Sequence, residues 1–341
     1  RLRRRPLVPA LVVTTVLMAV VTMASLLPPS AAPVNTVRVG VKPWVGFAPL
    51  VVAARLGLCE ETDIELVPVR TTSDVGRRVL AGELEFASYL VDSHALARAN
   101  RIPTRAILML DTSLTADGVV AQAGIETFED LRGKSVAYMH HEAPHFLLLG
   151  LCEQHGLELA DFRHVKTETA QQAVDAFLSG RADAVVTYEP FLSRAVSERP
   201  GSRVVASAAD DPGSIIDLLT VREDFLDAHR HKVEEVVRAW FRGLELLQSG
   251  DPAALQAACA FLGTDGKPIS VEAFREMERG MMYGSRDANF RFFRRNARGS
   301  SEFQERMNAA QSRWSAHHQL PRWTDPAEAA SDLFLEMDVK R

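Results

Sequence analysis

Cysteine is scarce in this chain of 341 residues, and its distribution excludes two kinds of site. Cys59, Cys152 and Cys259 are odd in number and lie far apart. Such spacing gives neither a disulfide framework nor a zinc-ligand pattern. Cys59 and Cys152 each lie in an apolar stretch near a helix end, and we predict that they are small buried hydrophobic side chains.

Charge is absent from residues 7–27, an apolar run that follows four arginines and precedes Pro28 and several small residues. This order predicts a secretory signal over residues 1–32, and therefore an exported, periplasmic or otherwise extracytoplasmic protein. A retained membrane anchor is the alternative, because the run is long for a signal. No cysteine follows the run, which argues against a lipid-anchored protein. The sequence has no second apolar run of spanning length.

Acidic residues outnumber basic ones, 44 to 39. The formal net charge is −5, and loss of the four leader arginines would make it about −9. A field of this sign disfavours nucleic acid as a partner, because nucleic-acid binders need a basic face. The roughly 305 residues that remain exceed what one hydrophobic core usually serves, so we expect two lobes.

Strand and helix signals alternate along the first two thirds of the chain, which predicts an α/β protein with doubly wound, parallel sheets. Beyond residue 221 the pattern becomes helical, with Trp240 and Phe241 on one apolar stripe, and this tail shows no strand signal. Strands are predicted at residues 37–41, 64–69, 84–89, 106–110, 135–139, 182–187 and 215–221.

A weak internal repeat supports two similar lobes. Residues 71–87 align without a gap on residues 169–185. Each copy has a threonine N-cap, a helix, a glycine stop and an acidic residue just inside the next strand. The repeated order of elements favours a duplicated α/β unit.

Polar and aromatic side chains follow the first and third predicted strands, where parallel α/β sheets bind ligands. Trp44, in the loop after the first strand, would give a cleft a flat wall and one N–H donor, or be an ordinary half-buried tryptophan. Ser88, Tyr89, Asp92 and Ser93 end the third strand and begin a helix. They are candidates to bind a solute oxygen, although capping explains Asp92 and Ser93 equally well.

A second group of candidates is acidic. Asp111, Thr112, Ser113 and Asp117 cluster after the fourth predicted strand, and Glu189 follows a later one. Carboxylates in a cleft suit an amine or amidine. The alternative for Asp111 and Asp117 is that they cap turns in a hinge.

Residues 141–145 read His-Glu-Ala-Pro-His, which matches the H-E-x-x-H pattern of zinc proteases. We reject a zinc site, because that motif needs both histidines on one uninterrupted helix and Pro144 cannot occupy a helix interior. Proline suits a first helical position instead, which places His141 and His145 at the mouth of a helix. We expect neither a metal nor a cofactor.

These features together resemble the type II periplasmic binding proteins of ABC importers, in the branch that contains aliphatic-sulfonate, taurine, nitrate and thiamine-precursor binders. The resemblance covers nearly all of the chain after residue 37. It is carried by residues 40–50 (GVKPWVGFAPL), 111–118 (DTSLTADG), 129–136 (EDLRGKSV), 180–183 and 188–190.

The resemblance implies a fold of two α/β lobes joined by two crossovers, with a helical C-terminal extension. It implies one lobe of residues 37–113 and 216–341 and another of residues 114–215, with crossovers near 111–120 and 213–219. A small-molecule solute would bind between the lobes, with a contact at or beside His145, and an ABC permease would recognise closure. We expect a monomer, and we interpret the basic run at residues 291–298 as a solvated face or a permease contact.

The sequence leaves the solute open. Trp44 and helix N-termini favour a sulfonate, the acidic residues favour a cationic end, and a zwitterion such as taurine satisfies both. A thiamine-pyrimidine precursor or another nitrogenous solute is the alternative. An enzyme on the same fold, similar to thiamine-pyrimidine synthases or menaquinone-pathway dehydratases, is disfavoured by the export leader and by the lack of a cysteine-rich motif.

Overall fold

The structure is a computed structural model that describes residues 35–263 and 266–337. Residues from Thr36 onward form a compact unit of their own. The predicted signal at residues 1–32 lies outside the described residues. Within the described ranges, no helix combines the length and apolar character needed to cross a membrane.

Two sheets organise the compact unit. Six strands form the first, in the spatial order β11-β4-β10-β3-β1-β2, and five form the second, in the order β7-β6-β8-β5-β9. The strands of the first sheet are β1 Thr36–Val41, β2 Asp63–Pro68, β3 Phe86–Leu90, β4 Thr104–Ser113, β10 Ile216–Arg222 and β11 Met281–Tyr283. Those of the second are β5 Asp117–Ala121, β6 Ser135–Met139, β7 Arg163–Thr167, β8 Ala184–Tyr188 and β9 Arg203–Ser207.

Both sheets are mixed, which corrects the expectation of wholly parallel sheets. β1 and β6 pair in parallel with their neighbours, as βαβ units require. β10 runs antiparallel to β3 and β4, and β5 runs antiparallel to β8 and β9, because these strands enter their sheets directly from the other one. The expectation of a strand-free tail is also wrong, since β11 adds an edge strand to β4.

Helices cover the sheets and build the C-terminal extension that the sequence predicts. They are α1 Ala48–Arg55, α2 Thr72–Leu80, α3 Val91–Ala99, α4 Ala143–His155, α5 Ala170–Leu178, α6 Phe191–Glu198, α7 Glu223–Ala228, α8 Arg230–Ser249, α9 Pro252–Phe261, α10 Val271–Arg279, α11 Arg286–Phe293, α12 Glu302–Ala316 and α13 Leu333–Glu336. The apolar stripe of α8 is buried, as its spacing predicts.

The internal repeat corresponds to equivalent elements in the two sheets. Thr71 caps α2 and Thr169 caps α5, each by accepting a hydrogen bond from a backbone N–H three residues on. The acidic residues also match: Glu85 accepts from the N–H of Arg38 on β1, and Asp183 accepts from the N–H of Ser135 on β6. The prediction of two similar α/β units is therefore confirmed.

The chain passes from the first sheet to the second between residues 113 and 117, and returns between residues 207 and 216. The architecture is the predicted one of two α/β lobes with a helical extension. The exact lobe boundaries stay a prediction: residues 37–113 and 216–341 for one lobe, and residues 114–215 for the other.

Gly243 permits a close crossing of two helices. A Cβ atom placed there would lie 2.2 Å from the carbonyl oxygen of Pro49 on α1. Gly243→Ala should therefore lower the free energy of unfolding by about 1–3 kcal/mol through overpacking. Chemical denaturation measures the change, and Arg238→Ala on the exposed side of the same helix should shift stability by less than about 0.5 kcal/mol.

Candidate functional site

A cavity lies between the two sheets, at the carboxyl ends of β1, β3 and β8. Loops and helix starts meet there, which is where ligands bind in open α/β sheets. We call this cavity the cleft. The side of the first sheet contributes Lys42, Trp44, Phe47, Ser88, Tyr89, Leu90, Ser93, Ile215 and Asp217, and the side of the second contributes Asp117, Met139, Glu142, Ala143, Pro144 and Tyr188.

Aromatic rings form one wall of the cleft. Trp44 and Tyr188, from opposite sheets, meet edge to face with centroids 6.0 Å apart. The indole N–H of Trp44 points away from the cleft and donates to both carboxyl oxygens of Asp111, at 3.2 Å. Gly46 allows this packing, because a Cβ atom there would lie 1.9 Å from an oxygen of Asp111. Trp44 therefore offers the cleft its ring and not its N–H group.

Asp117 and Asp217 are two of the three buried carboxyl groups that line the cleft, and Glu142 is the third. Asp117 is 2% exposed and Asp217 is 4% exposed. One oxygen of Asp117 has no hydrogen-bond partner among the described residues. Burial raises the pKa of Asp117 to about 7, against a hydrogen bond from Ser113. Burial, and then Asp111 and Asp117, raise the pKa of Asp217 well above its usual range.

Asp111 lies directly behind these groups. It faces Asp217 across the β4–β10 ladder and is fully buried. Burial raises its pKa as well, although the hydrogen bond from Trp44 opposes the shift. Burial and mutual repulsion favour the neutral form of these carboxyl groups, and a cation bound in the cleft would favour their ionised form.

Glu142 carries the strongest contact between the two sides. Its carboxylate accepts from the ammonium group of Lys42 at 2.5 Å, and from the N–H and hydroxyl of Thr72 at 2.6 and 3.2 Å. Thr72 is the first residue of α2, whose N-terminus attracts anions. Glu142, at the start of α4, therefore links the second lobe to the first. Lys42 is the cation of the cleft wall, and this contact already engages it.

We expect Thr72→Pro to weaken closure. Proline removes the N–H that donates to Glu142, and it suits a first helical position, so α2 should persist. Loss of one charge-assisted hydrogen bond should weaken solute affinity by about 1–2 kcal/mol. Calorimetric titration measures the affinity, and small-angle scattering measures compaction. Thr72→Val keeps the N–H and should lose less than half as much; equal losses would contradict the role of the N–H.

Three further predicted residues border the cleft, and two of them, Ser88 and Ser93, already form local hydrogen bonds. The hydroxyl of Ser88 donates to the carbonyl of Gly40 at 3.0 Å. Ser93 accepts from the N–H of Leu90 at 2.9 Å and so caps α3. Tyr89 is buried, and its hydroxyl, which has no hydrogen-bond partner within the described ranges, lies beside Gly76 of α2.

Other predicted residues do not line the cleft. Thr112 and Ser113 belong to the ladder of β4, and the hydroxyl of Ser113 accepts from the N–H of Asp117. Asp92 is a buried residue in the first turn of α3, and burial raises its pKa to about 7. Glu189 accepts from the N–H and hydroxyl of Ser193, at 3.2 and 2.7 Å, and so stabilises the start of α6. Solute contact by these residues stays a prediction.

The two histidines of the H-E-x-x-H match lie close together at a helix start, with ring centroids 5.9 Å apart. α4 begins at Ala143 with Pro144 in its first turn, as predicted. His141 precedes the helix, is exposed and bonds Gln319, whereas His145 is buried against Tyr138 and Trp314. Burial, and then His140 and His141, lower the pKa of His145 to about 3. Neither histidine borders the cleft.

Sequence reasoning missed four polar residues of the cleft: Lys42, Glu142, Tyr188 and Asp217. Asp217 had a signal, because it is the one acidic residue in the mostly apolar strand β10, and burying a carboxyl group is costly unless it is paired. Tyr188 ends β8 and sits beside the residue that was chosen, Glu189. Nothing in the sequence places Lys42 and Glu142 together, since 100 residues separate them.

Several solved structures share this fold. The alkanesulfonate-binding protein SsuA from Xanthomonas axonopodis pv. citri, bound to MOPS, aligns with a TM-score of 0.70 and 17% identity over 88% of this chain and 99% of its own. The aliphatic sulphonate-binding protein SsuA from Escherichia coli aligns with a TM-score of 0.69 and 17% identity, over 89% of this chain and 100% of its own. The nitrate-binding protein NrtA from Synechocystis PCC 6803 aligns with a TM-score of 0.68 and 14% identity, over 89% of this chain and 88% of its own.

The fold is thus that of the type II periplasmic solute-binding proteins. The model of the NMT1/THI5-like family matches residues 44–253, and the chain belongs to that family. A search among curated protein sequences finds no match. The matched region includes both sides of the cleft and both passages between the sheets.

Proposed function

We propose that this protein is an extracytoplasmic solute-binding protein that delivers a small organic cation, such as a protonated nitrogen heterocycle, to an ABC permease. The observation that carries the choice of solute is the pairing of buried carboxyl groups, Asp117 and Asp217, with the aromatic wall of Trp44 and Tyr188. The family and the fold support the binding role.

Charge decides between the solutes considered from sequence. A sulfonate or nitrate would meet Asp117 and Asp217 and be repelled once either ionises. A protonated amine or amidine would instead give each carboxylate the partner that burial denies it. A flat ring would lie against Trp44 and gain from cation–π attraction. These terms favour the nitrogenous solute over the sulfonate placed first on sequence grounds.

A taurine-like zwitterion is the second candidate, and Lys42 is the observation that favours it. The ammonium group of Lys42 borders the same cleft as the two aspartates. An anionic end could reach it only in competition with Glu142, which accepts from Lys42 at 2.5 Å. The zwitterion would therefore have to break a contact between the lobes, which should lower its affinity relative to a cation.

We propose binding without chemistry. The carboxyl groups of the cleft could act as acids or bases, so an enzyme on this fold is the alternative. A carrier should return its solute unchanged. Chromatography of solute recovered after long incubation with the protein tests this, and turnover of the solute would replace the carrier proposal with the enzyme one.

A thermal-shift screen at pH 8 tests the solute class. Flat amidines and ring-bearing alkylamines, which stay protonated at pH 8, should raise the melting temperature, because a ligand that binds only the native state stabilises it. Taurine should raise it less, and alkanesulfonates or nitrate should leave it unchanged. Stabilisation by an alkanesulfonate alone would reverse the proposed charge preference while leaving the binding role intact.

A further inference from the structure

A basic surface lies outside the cleft, at the end of α11. Between Asp287 and Glu302 the chain has four arginines and no acidic residue. All four are exposed, and none of their guanidinium groups forms an ion pair with the part of the chain that the structure describes. We call Arg291, Arg294, Arg295 and Arg298, together with Phe290, the basic surface.

The basic surface has a rigid base. Phe292 and Phe293 are buried, and their rings contact the ring of Phe303 on α12 with centroids 5.9 and 5.6 Å apart. The following turn is closed by a hydrogen bond from the N–H of Asn296 to the carbonyl of Ser300, at 2.7 Å. The buried phenylalanines and the hydrogen bond in the turn thus fix the backbone that carries the four exposed arginines.

Phe290 makes the surface amphipathic. Its side chain is exposed, with 43% of its surface accessible, and the guanidinium group of Arg294 lies 5.4 Å from the ring centroid. The nearest carboxylate of the turn, Glu305, accepts from Asn296 and Ser300. An exposed aromatic ring among unpaired arginines fits an interface that is anionic at its surface and apolar beneath.

We propose that this basic surface docks the protein on an anionic lipid membrane. The exported chain carries about −9 net charge, so most of it is repelled by such a membrane. The basic surface is a local exception and would set the orientation of approach. The proposal goes beyond the solute-binding role, because none of these residues borders the cleft.

Vesicle co-sedimentation tests the proposal on the compact unit from Thr36 onward, so that the apolar N-terminus cannot contribute. The wild type should sediment at low salt with vesicles of phosphatidylglycerol and phosphatidylcholine, and should stay in solution with phosphatidylcholine alone. Arg294→Ser/Arg295→Ser should lower the partition coefficient roughly tenfold or more. Added salt should weaken wild-type binding in the same way.

Matched controls separate the surface from net charge. Arg55→Ser/Arg70→Ser changes the charge equally, at exposed arginines elsewhere on the first lobe, and should leave binding unchanged. Arg291→Ser/Arg298→Ser should repeat the loss if Arg294→Ser/Arg295→Ser folds poorly. Solute affinity should be the same in all variants. Equal losses in the control, or equal wild-type binding to neutral vesicles, or no binding to anionic vesicles, would overturn the proposal.

Discussion

Asp217→Asn and Asp117→Asn should each weaken binding of an organic cation by about 2–3 kcal/mol, roughly 30- to 150-fold in affinity. Each substitution replaces a buried carboxyl group by an amide of nearly equal size, so the shape of the cleft is kept. The amide leaves the positive group of the solute without its counter-charge, in a place that water scarcely reaches. Calorimetric titration with the cation that gives the largest thermal shift measures the loss.

The same substitutions should stabilise the empty protein above pH 7, or leave its stability unchanged, because an amide costs less to bury than a carboxylate. Asp63→Asn is the matched control. It removes the same charge from an exposed position on β2, and solute affinity should not change. If Asp217→Asn and Asp117→Asn bind the cation as tightly as the wild type, the charge argument for the solute is wrong.

Affinity for a cation of constant charge should fall as the pH falls below about 7, by about tenfold for each pH unit per proton taken up. The reason is that burial raises the pKa of Asp117 to about 7, so acid converts the carboxylate to a neutral group. Glu189 raises the pKa of Asp117 further, and Asp117 in turn raises the pKa values of its neighbours Asp111 and Asp217. Binding at neutral pH should therefore release protons.

Stability of the empty protein should change in the opposite sense. The folded pKa of Asp117, about 7, lies above the unfolded value of about 4, so the folded state binds more protons between these pH values. The free energy of unfolding should then fall as the pH rises from about 4 to 7. Titrations in buffers of different ionisation enthalpy measure proton release. A flat affinity from pH 5 to 8, shared by the wild type and Asp117→Asn, would contradict the prediction.

Local sequence signals accounted for much of the architecture. Thr71 and Thr169 each cap a helix, and this could be predicted because the capping hydrogen bond joins residues only three positions apart. Pro144 marks a helix start for the same local reason. These contacts join residues that are close in the chain, so the neighbouring side chains are enough to predict where a helix begins. That is why the repeat, and with it the pair of lobes, could be inferred without coordinates.

Four strands were not predicted, β5, β7, β9 and β11, and two of them, β11 and β7, depend on their partners more than on their own composition. β11 is three residues long and exists because it pairs with the exposed edge of β4. β7 alternates weakly, since it is an edge strand with exposed side chains. In both cases the hydrogen bonds come from a distant part of the chain, and propensity alone does not reveal them.

Sequence alone determined the kind of site, one with aromatic and acidic side chains after parallel strands, and it placed Trp44 and Asp117 at the cleft. Tertiary structure decided which atoms the cleft receives. The N–H of Trp44 turns to Asp111, Asp217 enters from β10, and Glu142 reaches Lys42 and Thr72 from the other lobe. The register of strand pairs and the approach of two lobes set these positions, and both depend on contacts between residues far apart in the chain.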